Sequence, residues 1–156
     1  MSNIFKTQIE HYTEKFDELL QNLESKNLMQ VTGGIQIPNL EQNLKENSEE
    51  FRQAALKVAS SMMPGRVSCT TYAAVCARFC EEFNVPFKAY AGFCLKKSHA
   101  TREKDMSYFN EKKASGLEHP MMATHVYLEA NGTVYEYYSG DTSDIDHIDC
   151  VVIAER

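Results

Sequence analysis

Apolar residues recur at three- and four-residue steps through the first sixty positions. Ile9, Tyr12, Phe16, Leu19, Leu20 and Leu23 share one helical face, which predicts a helix between about residues 4 and 26. A turn-forming stretch with Gly33, Gly34 and Pro38 follows. Phe51, Ala55, Val58 and Met62 then resume helical spacing. Asn47, with Glu50 three residues on, reads as a capping box at the start of that helix; a start near Leu40 is the alternative. Pro64-Gly65 stops it. A third helix is expected from Cys69 to Phe83, with Tyr72, Cys76, Phe79, Cys80 and Phe83 as its apolar stripe, ended by Asn84 and Pro86.

From Phe87 the period changes to two. Phe87, Ala89, Ala91, Phe93 and Leu95 alternate with Lys88, Tyr90, Gly92 and Cys94, the pattern of a half-buried strand. The polar stretch 96–120 is long for a loop, so it either contains a short helix over residues 102–114 or covers a site. A hairpin is the clearest local signal. Thr124–Ala130 and Thr133–Tyr138 flank Asn131-Gly132, the dipeptide favoured in two-residue turns. Ile148–Ile153 supplies a last short strand. Helices followed by an antiparallel sheet make an α+β fold, read as one domain over 1–156, with a helical part (1–64) and an α+β core (66–156).

Composition changes little in this picture. Of the 156 residues, 43% are hydrophobic and 24% charged, ordinary for a globular chain. The net charge of −6 argues against a nucleic-acid partner, since phosphate binding needs a basic surface. No stretch approaches the roughly 18 apolar residues of a membrane helix, and the N-terminus has no apolar signal core. The expected compartment is therefore the cytoplasm, and no membrane association is expected. Five cysteines, an odd number without close pairing, argue against a disulfide framework. Without a Cys-x-x-Cys or His-x-x-x-His pair, neither a metal site nor a cofactor is expected.

Cys69 differs from the other thiols by position. It opens the third helix, where free N–H groups and the positive dipole end favour an anion and so the nucleophilic thiolate. Cys76 and Cys80 lie on the apolar stripe and read as core. His125 begins the first strand of the hairpin, a rigid place for a general base. Such a base needs a third group to orient it. With Ala130 paired to Thr133, His125 lies across from Tyr138, and Glu136 lies across from Tyr127. Glu136 shares the face of Tyr138, since positions two apart point the same way, and is thereby a diagonal neighbour of His125. Asp141 and Asp144 are alternatives for the orienting acid. His99, His119 and His147 read as solvent-facing. Gln30, Gln36 and Arg66 are all candidates for a side-chain oxyanion donor.

The segment Ser68-Cys69-Thr70-Thr71-Tyr72-Ala73, then Asn84-Val85-Pro86-Phe87-Lys88-Ala89-Tyr90-Ala91-Gly92-Phe93, resembles the transglutaminase-like superfamily of papain-like fold. Members carry a cysteine opening a helix, an aromatic-alanine pair, and a G-I-P-A-R-x-x-x-G-Y strand. His125 to Glu136 is similar to the family's histidine strand, turn and acid strand. The likeness spans about residues 66–138 and departs at Glu136, where aspartate is usual, and at Tyr127, where tryptophan is common. It implies Cys69 as nucleophile, His125 as base and then acid, and Glu136 as orienting acid. The implied activity is amide hydrolysis or acyl transfer through a thioester, on a peptide, protein or small amide. The alternatives are a binding module that has lost the chemistry, or a viral or mobile-element accessory protein acting on a host partner; folds host many functions.

Overall fold

The N-terminal amphipathic pattern folds as α1 (Asn3–Glu24), burying Phe16, Leu20 and Leu23. The structure, a computed structural model, describes residues 3–46, 48–98, 100, 102–115, 123–138 and 142–156. The glycine-rich stretch that follows carries a one-turn helix, α2 (Leu28–Thr32), closed by Gly33 at φ 62°, a left-handed cap that glycine adopts without penalty. The next helical pattern divides into α3 (Leu40–Lys45) and α4 (Glu49–Met62). At the start of α4 the expected capping box gives way to Ser48, whose Oγ accepts the Glu50 N–H at 3.0 Å. Asn47 lies outside the described residues.

Helix α5 (Cys69–Glu82) is the centre of the fold. Thr70 to Cys80 are all buried, so the expected single stripe is in fact a helix enclosed on every side, the situation of a helix with a through-going apolar surface. Arg78, near its end, is buried without loss. Its Nε and Nη2 donate to the carbonyls of Leu23 and Lys26, both at 3.1 Å. These are carbonyls at and just beyond the C-terminus of α1, where a cation also complements the negative end of the helix dipole.

Strand β1 (Phe87–Lys96) follows, then α6 (Arg102–Ser115), which occupies the long polar connection. Strands β2 (Ala123–Ala130) and β3 (Thr133–Tyr135) form the hairpin in the expected register: Ala130 pairs with Thr133, and Leu128 with Tyr135. Asn131 and Gly132 take φ 52° and 74°, as that turn requires. The return strand stops at Tyr135 rather than Tyr138. A 3₁₀ turn (Thr142–Asp144) leads into β4 (Ile145–Glu155), longer than its apolar core suggests. The antiparallel sheet has the order β3-β2-β1-β4. The described residues thus form an α+β fold of six helices and four strands, and none of their helices is long and apolar enough to cross a membrane.

Alternation in β1 holds only as far as Ala91, because Ala91 to Cys94 are all buried. There β4 bulges. Ala91 pairs with Val151 and Phe93 with Ile148, so Asp149 and Cys150 together oppose Gly92. Asp149 takes φ 52° to make the extra turn. A Cβ on Gly92 would lie 2.5 Å from Cys150 Sγ and 2.8 Å from Cys150 Cα, so only glycine fits beneath the bulge.

Candidate active site

The site forms where the start of α5 meets the sheet. Ser68 caps the helix, its Oγ accepting the Thr71 N–H at 3.1 Å. This leaves Cys69, half-buried, as the first helical residue. Its sulfur meets the His125 side chain, the backbone of Val126 and the Thr70 hydroxyl. Strand β3 pairs with β2 only from Leu128 onward, and this early stopping leaves Val126 without a β3 partner.

His125 is 3% exposed and Glu136 7%. Glu136 Oε2 stands 3.5 Å from His125 Nε2. That is close enough to pair charges but too long for a formed hydrogen bond, and Nε2 has no hydrogen-bond partner. The expected pairing of Glu136 with Tyr127 and of Tyr138 with His125 is not formed, since β3 ends at Tyr135; Glu136 meets His125 from the segment that follows the strand. Tyr127 stacks on the His125 ring at 6.1 Å between centroids, and Tyr138 meets it edge-on at 5.9 Å.

His147, read from sequence as a solvent-facing bystander, is part of the cluster. Its Nε2 lies 2.7 Å from Glu136 Oε2, with the side chain only 25% exposed. Two sheet positions separated by an intervening strand are about 9.6 Å apart, yet the His125 and His147 rings lie at 6.0 Å across β1. They converge because β1 presents only Gly92 and Cys94 beneath them, opposite His125 and His147 respectively.

These contacts set the charges. Burial alone would raise the Cys69 thiol, but the His125 imidazole, the Val126 backbone and Thr70 outweigh it and bring the thiol below its ordinary range. Burial would disfavour imidazolium at His125, yet Cys69 and Glu136 push it up to about 9. Burial also opposes ionisation of Glu136, and the two histidines overcome this and hold it near 2. The other thiols move the opposite way: burial raises Cys76 and Cys150, Cys80 to about 12 and Cys94 to about 11.

The remaining expectations divide. Asp144 is engaged elsewhere, accepting from the Ser98 N–H at 3.0 Å and from the Ser98 hydroxyl, so it holds the chain after β1 and does not orient His125. Asp141, His99 and His119 lie outside the described residues. Gln36 borders a groove shared with Phe83, at the far end of α5 from Cys69. Gln30 and Arg66 are exposed. Helix α1 instead supplies neighbours that the sequence did not single out. Tyr12 lies within electrostatic reach of Cys69, and Gln8 Oε1 accepts from Thr124 Oγ1 at 3.2 Å, beside His125. A cleft of about 570 Å³ opens on the Glu136 and His147 side, bordered by Arg52, Tyr72, Lys97 and Tyr138.

No family model, curated protein or solved structure matches the chain.

Proposed function

We propose that this protein is a cysteine-dependent amide hydrolase or acyl transferase of the papain-like, transglutaminase-like kind, with Cys69 as nucleophile, His125 as base and Glu136 as orienting acid. The observation that carries the reading is the meeting, in that order, of three groups from three separate segments: a cysteine at a helix start, a buried histidine and a buried carboxylate. A nucleophile needs a base in reach, and the base needs a third group to fix its tautomer. With Nε2 turned to Glu136, Nδ1 is the ring nitrogen left for the thiol.

In this reading Cys69 thiolate attacks the amide carbonyl, and the N–H groups at the start of α5 receive the developing oxyanion. His125 delivers a proton to the leaving amine. The thioester on Cys69 is then released by water or by a second amine, with His125 taking a proton from the attacking group. Gln8, held beside Thr124, is a candidate for a side-chain oxyanion donor.

The test uses an activated ester, since acyl-transfer chemistry does not depend on the natural amide. Brief exposure to p-nitrophenyl acetate is expected to release a burst of nitrophenol and leave an acetyl group on Cys69, located by mass spectrometry of the peptides. Cys69→Ala and His125→Ala are expected to lose the burst. Acetylation spread equally over the thiols, or favouring Cys94 or Cys150, would sink the reading.

A further inference from the structure

We propose that His125, Glu136 and His147 form a binding site for a divalent transition ion of the zinc class, a proposal that does not rest on the thiol reading above. The donor set is two imidazole nitrogens and one carboxylate oxygen, a combination that suits zinc and leaves a fourth position for water. One donor atom from each residue lies within 4.8 Å of the other two, and among the described residues no other such group of three occurs.

The distances admit an ion after a small adjustment. Bonds of about 2.0–2.1 Å in tetrahedral geometry separate ligand atoms by about 3.3 Å. The 3.5 Å between His125 Nε2 and Glu136 Oε2 is already close to that. The 2.7 Å hydrogen bond from His147 has to open by roughly half an ångström as the ion replaces the shared proton. His147 is partly exposed, so its strand can yield that much.

A second, independent feature points the same way. His125 is 97% buried, being 3% exposed, and its Nε2 faces the cluster without a hydrogen-bond partner. A buried polar atom left so is a group that a bound cation can satisfy. A cation shared with Glu136 and His147 satisfies it. The sheet holds two of the donors, from β2 and β4, and the third follows β3. The cleft beside Glu136 and His147 gives an ion a route from solvent.

The experiment titrates the untagged full chain with Zn²⁺ against a chromophoric chelator, at mildly alkaline pH where protons compete least for imidazole. One equivalent is expected to bind. Loss of a ligand in His147→Ala is expected to weaken binding on the order of 100-fold, and His147→Gln comparably, while Cys69→Ala leaves it within about twofold. Co²⁺ substituted at the site is expected to show no thiolate-to-metal charge-transfer band. Absence of binding, binding unaffected by either His147 change, or binding lost in Cys69→Ala overturns the site.

Discussion

Replacing Glu136 by glutamine isolates what the buried carboxylate contributes. The amide keeps nearly the same shape and can still hydrogen-bond His147, so the fold is expected to survive, but the negative charge beside His125 is gone. Two unit charges at the observed 3.5 Å attract by roughly 5 kcal/mol at an effective dielectric of about 20. That is a gross figure. The net effect is read from His125, held near 9 rather than 6.5 despite its burial. This corresponds to about 3 kcal/mol in favour of imidazolium, supplied jointly by Cys69 and Glu136. If Glu136 supplies about half, its loss weakens the thiolate–imidazolium pair by roughly 10- to 30-fold.

The assay is the rate of iodoacetamide modification of Cys69, followed on its peptide by mass spectrometry across pH. Near pH 6, where an unperturbed thiol is almost wholly protonated, the wild type is expected to react at Cys69 ahead of the other four cysteines, and Glu136→Gln up to about 10- to 30-fold more slowly. The two rates should converge at strongly alkaline pH, where the thiolate forms unaided. The loss in turnover is expected to be smaller than the roughly 10⁴-fold of the equivalent acid-to-amide change in serine proteases, on the order of 10–10³-fold, because a thiol ionises more readily than a serine hydroxyl and Cys69 is lowered further. Rates within twofold of wild type at every pH, in a protein that melts normally, would refute the role assigned to Glu136.

Two further outcomes test the scaffold around the site. Gly92→Ala places a methyl group against Cys150 Cα and the Ile148 carbonyl, at 2.8 and 2.9 Å. Backbone cannot rotate away as a side chain can, so the denaturant midpoint is expected to fall by the equivalent of about 1–3 kcal/mol; an unchanged midpoint would show that the bulge is not tightly seated. The pH dependence of stability carries the signature of Glu136. Its carboxyl is depressed on folding from 4.5 to about 2, so its stabilisation is complete above the unfolded value and is lost as pH falls through the folded one. Between about pH 4.5 and 2 this amounts to at most about 3 kcal/mol. Glu136→Gln should flatten that limb, and an unaltered acid limb would contradict the pairing.

What was legible in the sequence is what local chain chemistry dictates. Period-3.6 apolar spacing located α1 and α5, and Asn131-Gly132 located the hairpin, because both signals act between residues close in sequence. Extending the hairpin register pointed to Glu136 as a neighbour of His125; the two do meet, but from beyond the end of β3 rather than through that pairing. The break between α3 and α4 was not readable, because it turns on a serine cap that competes with a plausible asparagine–glutamate pair one position earlier. The place of His147 was beyond reach for a different reason. Nothing near it in sequence carries a ligand spacing, and its acidic surroundings read as solvated surface. It reaches Glu136 only because β4 pairs with β1, bulges at Asp149 and Cys150, and passes over Gly92 and Cys94. The one local trace of this was Gly92, a glycine inside a strand pattern, which marks a bulge or the close approach of another backbone. The sequence alone could say that something lies over Gly92. It took the pairing of the final strand to show that what lies there also carries an imidazole to the buried carboxylate, and so turns an expected triad into a cluster of four.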